Sequence, residues 1–146
     1  GIPNYDKYFD EINKKLVSEG IALIHTIGRI TPPGGTNPWI RKYIFPGGYI
    51  PAMSEMAASI EKNYLYVTDI EVLRMHYALT LRNWHNRFKA NEEKIRANFD
   101  EKFVRMWSYY LIASEVSFRF YQHVVFQFQL SKKQEAVPIT RDYLLD

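Results

Sequence analysis

Two polar side chains interrupt apolar segments at positions where they could take part in chemistry. His25 breaks the apolar run 21–27 near the carboxyl end of a predicted strand, which is where open α/β sheets bind ligands. Tyr77 lies on the apolar stripe of a predicted helix. An imidazole bonded to the backbone and a phenol packed in the core are the structural alternatives. The residues alone leave both roles open.

Several common kinds of active site are missing from the sequence. It has no GxSxG nucleophile elbow, no Walker phosphate loop, no HExxH zinc pair and no GxGxxG turn. The histidines at positions 25, 76, 85 and 123 lack metal-ligand spacing, so we expect no metal site. Asp69 and Glu71 could form a general acid and base, but a strand-to-helix junction is predicted there. Acidic capping residues are favoured at such junctions.

Composition narrows the class of protein. The 146 residues are 47% hydrophobic and 16% aromatic, which suits one globular core. The absence of cysteine excludes a disulfide framework and favours an intracellular protein. No apolar run approaches the roughly 20 residues that span a bilayer. A net charge of +3 is too small to predict nucleic-acid binding, although it permits contact with anionic lipid headgroups.

The spacing of apolar residues predicts an α/β chain. Helical spacing is found over residues 5–20, 54–62, 71–88, 92–99 and 101–122. Strands are predicted over 21–27, 64–70 and 123–130, the first of them buried on both faces as in a parallel sheet. We expect Trp84 to lie in the buried stripe of the helix over 71–88. We expect the helix over 101–122 to be buried around most of its circumference.

The segment 29–51 differs from the rest of the chain. It holds five of the seven prolines and two Gly-Gly pairs, interleaved with bulky apolar residues. A flexible linker would be polar, so we expect this insert to fold down as a cover, with a short helix over 39–44 that follows Pro38.

Two motifs carry a resemblance to a known family. The sequence from His25 to Gly28 reads HTIG, and the sequence from Pro38 to Pro51 reads PWIRKYIFPGGYIP. With further short matches as far as Leu130, the chain resembles the C-terminal half of cyclopropane-fatty-acyl-phospholipid synthases. The resemblance implies an α/β fold, the C-terminal half of a class I S-adenosylmethionine-dependent methyltransferase (Rossmann-like) fold. Its three strands, the last antiparallel, would have long flanking helices.

The resemblance also implies a reaction. Such enzymes transfer the methyl group of S-adenosylmethionine to a cis double bond of an unsaturated phospholipid acyl chain, and the resulting carbocation loses a proton as a cyclopropane ring closes. In this family a bound bicarbonate ion is the base. Its ligands match His25, Tyr77 and the main chain at Ile27 of this sequence. A dry pocket would strengthen hydrogen bonds to that anion.

The same resemblance implies the extent of the domain and its surroundings. Residues 1–146 would be the C-terminal part of one methyltransferase domain, with the cofactor-binding half and a bicarbonate-binding glutamate before Gly1. We therefore expect no cofactor-binding residues in this chain. We also expect an unpaired edge on the first strand, which favours a homo-oligomer. The substrate would be an unsaturated phospholipid, and the protein would be cytoplasmic, at the inner membrane surface.

Two alternatives stay open. One is a related fatty-acyl, mycolic-acid or amine methyltransferase that does not close a ring. The other is a noncatalytic membrane-binding or interaction fragment. In that case basic residues would contact lipid, although surface solubility is their simpler role. These residues are Arg29, Arg41, Lys42, Lys132 and Lys133.

Overall fold

Three strands form one sheet in residues 2–145, the part of the chain that the computed structural model describes. They are β1 (Ile21–Arg29), β2 (Tyr66–Leu73) and β3 (His123–Ser131). The central strand is β3, which runs antiparallel to both neighbours. The predicted arrangement of three strands with the last antiparallel is confirmed.

Helices cover both faces of this sheet. They are α1 (Tyr5–Lys15), α2 (Pro38–Tyr43), α3 (Met53–Lys62), α4 (His76–Ala90), α5 (Glu92–Asn98) and α6 (Glu101–Phe120), followed after β3 by short 3-10 turns at Gln134–Ala136 and Asp142–Leu144. The α1 and α3 helices pack on one face of the sheet, and the long helices α4 and α6 pack on the other. The predicted α/β class with long flanking helices is therefore confirmed.

The first hydrophobic core lies between β3 and the helices α1 and α3. Successive side chains of a strand point to opposite faces, so alternate residues of β3 enter this core, including the fully buried Phe128 and Leu130. Phe9 of α1 and Ile60 of α3 meet them there, both with no exposed surface. Asn4 starts α1 by accepting a hydrogen bond of 2.9 Å from the amide of Lys7.

The second core joins α4 and α6 to the opposite face of the sheet. Leu81 and Leu111 are its buried centre, and Val125 of β3 lies against them. A buried carboxylate, Glu115, ties the two helices together. Its oxygens lie 2.8 Å from Nε of Arg82 on α4 and 2.6 Å from Nε of Arg119 on α6. The relative position of the two long helices is thus fixed by both apolar contact and charge.

The junction between β2 and α4 differs from the prediction. The strand runs to Leu73, and the helix begins at His76 rather than at position 71. Asp69 and Glu71 are consequently strand residues and not helix caps, and Asp69 forms an ion pair of 2.7 Å with Arg141. The reason is tertiary, because pairing with β3 continues as far as Leu73 and overrides the helical spacing.

β1 is also less buried than predicted. Ile21 and Leu23 are 46% and 62% exposed, because within residues 2–145 this strand lies at the edge of the sheet and one of its faces is partly open. The predicted unpaired edge is present in the described chain, while the self-association that it favours stays a prediction. The strand continues to Arg29, two residues beyond the predicted end.

Several helix details were predicted incorrectly. The α1 helix ends at Lys15 rather than at position 20. The α3 helix begins at Met53, one residue before the predicted start, and the Glu55 carboxylate accepts a hydrogen bond of 2.8 Å from the amide of Ala52 there. Trp84 is 39% exposed, since α4 turns Ala78, Leu81 and Phe88 inward. The α6 helix is buried along one stripe only, and several of its aromatic residues face outward.

Candidate functional site

The insert between β1 and α3 forms the short helix α2. Asn37 caps it, with its side-chain oxygen accepting hydrogen bonds from the amides of Trp39 at 2.9 Å and Ile40 at 3.4 Å. Pro38 occupies the first helical position, where its missing N–H costs nothing. The predicted short helix in this segment is confirmed.

The insert packs its aromatic side chains onto α6. The ring of Trp39 meets the ring of Tyr109 edge-on at 4.8 Å between centroids, and Phe45 meets Tyr110 in the same way at 5.8 Å. Edge-to-face pairs of this kind stabilise by about 0.5–1.5 kcal/mol each beyond their buried area. The insert therefore lies over the long helices as a structured cover.

A cavity of about 190 Å³ lies between this cover and the long helices. We call it the acyl pocket because its walls are mainly hydrocarbon and aromatic. The insert contributes Asn37, Trp39, Ile40, Phe45 and Ile50, the strands contribute Ile27 and His123, and the helices contribute Tyr77, Leu81, Tyr109, Tyr110, Ala113, Ser114, Ser117 and Phe118. Pockets with a mainly apolar and aromatic lining and a few polar groups are typical binding sites for small molecules.

The acyl pocket carries no ionised side chain at neutral pH. Its lining includes no aspartate, glutamate, lysine or arginine. Burial lowers the pKa of His123 below its usual value, and the nearby Arg29 charge lowers it further, so the imidazole is neutral. Burial raises the pKa of the Tyr110 hydroxyl, outweighing a hydrogen bond with Ser114 that lowers it. The pocket is suited to a neutral hydrocarbon chain.

The structure brings two of the three predicted site residues to this pocket. Ile27 and Tyr77 both line it, and the Tyr77 ring packs against Phe118 with 5.0 Å between centroids. His25 is not among the lining residues. It lies two residues before Ile27 on the same sheet face and is exposed, with its Nδ1 at 3.1 Å from Nε2 of Gln127. A bicarbonate site formed by all three stays a prediction.

The residues that line the pocket indicate which small molecules could bind there. For bicarbonate they provide a phenol and a main-chain segment in one pocket, with the imidazole outside it. For S-adenosylmethionine the acyl pocket lacks the carboxylate that typically binds a ribose. The residues present fit bicarbonate only in part and do not fit the whole cofactor.

Sequence reasoning missed two polar residues near the pocket. His123 was considered only as a metal ligand and set aside, yet it lines the pocket directly. Arg29 was counted among surface cations, but it is only 9% exposed, so that prediction was wrong. One signal could have found Arg29. Arg29 follows His25 and Ile27 at every second position of β1, so its side chain lies on the sheet face that bears the pocket.

Two further properties concern the chain as a whole. Across residues 2–145, no three histidine, aspartate or glutamate side chains are grouped so that they could hold a metal ion. No helix within that range combines the length and apolar character needed to cross a bilayer.

Two curated relatives resemble the chain in sequence. The cyclopropane-fatty-acyl-phospholipid synthase of Escherichia coli (strain K12) is 40% identical over 119 residues, which are 82% of this chain and 31% of that protein. The tuberculostearic acid methyltransferase UfaA1 of Mycobacterium tuberculosis is 34% identical over 139 residues, which are 91% of this chain and 33% of that protein. The chain thus spans about a third of the length of these relatives.

A solved structure and a family match agree with these relatives. The mycolic acid cyclopropane synthase CmaA1, solved as a complex with SAH and CTAB, has a TM-score of 0.80 at 28% identity, and the match covers 89% of this chain and 50% of that one. Residues 1–128 match the family described as mycolic acid cyclopropane synthetase. The resemblance seen in the motifs is confirmed, and the chain belongs to the mycolic acid cyclopropane synthetase family.

Proposed function

We propose that this chain forms the acyl-binding part of an enzyme that builds a cyclopropane ring on an unsaturated phospholipid. A methyl group from S-adenosylmethionine would be added across a cis double bond of the acyl chain, with loss of one proton as the ring closes. The observation that carries this proposal is the neutral acyl pocket, lined by Ile27 and Tyr77, between the insert and the long helices. S-adenosylmethionine, when bound, supplies the carbon of the new methylene.

The residues of this chain would bind the acyl chain and keep water away from it. Aromatic walls from the insert and from α6 enclose the chain on two sides, which excludes the water that would otherwise capture a cationic carbon. Tyr77 would present its hydroxyl at the edge of this apolar surface, where a hydrogen bond is stronger than in water. We propose His25, Tyr77 and the main chain at Ile27 as ligands of bicarbonate.

A second candidate reaction is methyl transfer without ring closure. The 34% identity to a tuberculostearic acid methyltransferase supports it. The acyl pocket is compatible with this alternative because it suits either product. Both reactions use an unsaturated acyl chain. They differ in which proton is lost and in whether the product retains a carbon–carbon double bond. For the amine methyltransferase alternative, the pocket lining offers no anionic group, but aromatic rings also attract cations, so the lining alone does not decide against an amine substrate.

Mass spectrometry of membrane lipids tests the proposal. In cells that carry the full gene but lack any other cyclopropane synthase, we expect acyl chains heavier by one methylene group and without a carbon–carbon double bond. Chains that gain the same mass and retain a double bond would indicate methylation without ring closure. Acyl chains left unchanged, together with methylated amine headgroups, would contradict both acyl reactions.

A matched pair of variants connects this product to the acyl pocket. Ala113→Trp fills the pocket from the α6 side, and we expect it to abolish the modified lipids. Ile112→Trp places the same ring at the neighbouring position, which is 45% exposed and outside the lining, and we expect it to leave them unchanged. Equal loss in both variants would show that the pocket is not the cause.

A further inference from the structure

Arg29 is a buried cation without an anionic partner in the described chain. It ends β1, where its amide donates a hydrogen bond of 2.9 Å to the carbonyl of Pro51, and the residue is 9% exposed. Its Nε is buried and has no hydrogen-bond partner. Arginines 82, 96, 119 and 141 pair with carboxylates, whereas no carboxylate within residues 2–145 lies within 4.0 Å of Arg29.

An arginine whose Nε is buried without a partner favours the binding of an anion. A guanidinium offers five N–H donors and stays charged in proteins, and burying an unpaired charge is costly. Glu55 and Arg29 both act on the Tyr49 hydroxyl, but they form no ion pair with each other. The carboxylate of Glu55 already accepts hydrogen bonds from the Tyr49 hydroxyl at 2.8 Å and from the amide of Ala52 at 2.8 Å.

The backbone leaves room for the guanidinium. A Cβ atom at Gly34 would lie 2.4 Å from Nη1 of Arg29, so a side chain larger than hydrogen would displace that group. The same insert that covers the acyl pocket therefore also shapes the surroundings of Arg29.

Arg29 lines a second cavity, which we call the arginine cavity. Its volume is about 440 Å³, and its lining contains polar groups such as Thr36 and Gln122 but no aspartate or glutamate. It shares five lining residues with the acyl pocket: Asn37, Ile40, Ile50, Ser117 and His123. A buried cation thus lies directly beside a neutral apolar pocket, which is the arrangement that an anionic amphiphile requires.

We propose that Arg29 binds the phosphate of the lipid headgroup while an acyl chain of the same molecule occupies the acyl pocket. This inference rests on the proposed function and adds to it the group that orients the substrate. The planar guanidinium fork matches a phosphate in a bidentate manner, and the bound phosphate would supply the missing countercharge. Arg29 is a substrate-binding residue in this account and not a catalytic one.

Calorimetric titration of the 146-residue chain with three probes tests the inference. The probes are a short-chain phosphatidylglycerol below its micelle concentration, the diacylglycerol with the same acyl chains, and inorganic phosphate. For Arg29→Met we expect the affinity for the phospholipid to fall about tenfold or more, because a charge-assisted contact is lost. The affinity for diacylglycerol should not change.

Two further variants make the titration specific. Gly34→Ala retains the charge of Arg29 but displaces its guanidinium, so it should also weaken phospholipid binding. Arg87→Met removes an exposed arginine of α4 that has no ion pair in the described chain, and its binding should equal that of the wild type. Equal phospholipid affinity of Arg29→Met and the wild type would overturn the inference, and so would an equal loss in Arg87→Met.

Free phosphate is distinguished from a lipid headgroup by the same experiment. Inorganic phosphate that binds as tightly as the phospholipid, and in an Arg29-dependent manner, would overturn the assignment to a lipid. Failure of the wild type to bind diacylglycerol, with Arg29-dependent phospholipid binding retained, would count against the acyl pocket and leave the phosphate site standing. The proposed acyl pocket and the proposed phosphate site can therefore be refuted independently of each other.

Thermal unfolding separates a binding role from a structural one. Arg29→Met replaces an unpaired buried charge by an apolar side chain of similar length, so its melting temperature should equal or exceed that of the wild type. A clear decrease would show that the guanidinium stabilises the fold itself and would contradict the inference.

Discussion

Phe128→Ala is expected to lower the free energy of unfolding by about 3–5 kcal/mol. Phe128 lies on the central strand β3, has no exposed surface and meets the ring of Phe126 edge-on at 5.8 Å between centroids. Truncation removes the buried ring and leaves a cavity between the sheet and the helices α1 and α3. Because β3 pairs with both other strands, the sheet cannot close around that cavity without losing register.

The measurement is denaturant unfolding monitored by circular dichroism, with Phe120→Ala as control. Phe120 is the same residue type at the end of α6 but is 74% exposed, so its truncation should cost less than about 0.5 kcal/mol. Equal destabilisation by the two variants would contradict the placement of Phe128 in the core.

Glu115→Gln is expected to lower the free energy of unfolding by about 3 kcal/mol, near the lower end for breaking a buried ion pair. Glu115 is 2% exposed and holds both Arg82 and Arg119. The glutamine removes the negative charge and leaves two arginines near one another. The loss is limited because the Arg82 side chain is 55% exposed and can be rehydrated.

The destabilisation caused by Glu115→Gln should decrease as the pH falls. Burial alone would raise the pKa of Glu115, but hydrogen bonds from Arg119 and Arg82 outweigh it and hold the pKa below its usual value. A lowered pKa in the folded state stabilises the protein above the pKa of the unfolded chain. That stabilisation is lost as the pH falls through the folded value. The gap between wild type and Glu115→Gln should therefore narrow in acid.

Glu93→Gln is the control for this charge effect. Glu93 pairs with Arg96 on α5 but is 91% exposed, and exposed pairs contribute about 0–1 kcal/mol. A constant gap between the wild type and Glu115→Gln from neutral to acidic pH would contradict the assigned role of the buried carboxylate.

The sequence predicted the elements better than their boundaries. Local signals were sufficient to predict the existence and type of α1, α5 and β3, where apolar spacing agrees with the tertiary contacts. They failed at Asp69 and Glu71, because those residues pair with a strand more than 50 positions later. The antiparallel direction of the last strand was predicted from the family resemblance, since long-range pairing leaves no local pattern.

The candidate site was predictable only in part. Ile27 and Tyr77 were found through motifs, and the structure places both in one pocket. Arg29 and His123 were missed because burial of a polar group depends on what packs over it, here the insert. Nothing in the spacing of residues 29–51 reveals that Gly34 leaves space for a guanidinium. The burial of the polar and charged groups in the site therefore depends on the fold and could not be predicted from the sequence.

Photocrosslinking with a phospholipid that carries a diazirine within its acyl chain tests the acyl pocket most directly. Peptide mapping by mass spectrometry should place the adducts on pocket residues such as Ile27, Tyr77 and Tyr110, and Ala113→Trp should suppress them. Adducts confined to exposed apolar residues outside the pocket, such as Leu23 and Leu79, and unaffected by Ala113→Trp would contradict the account.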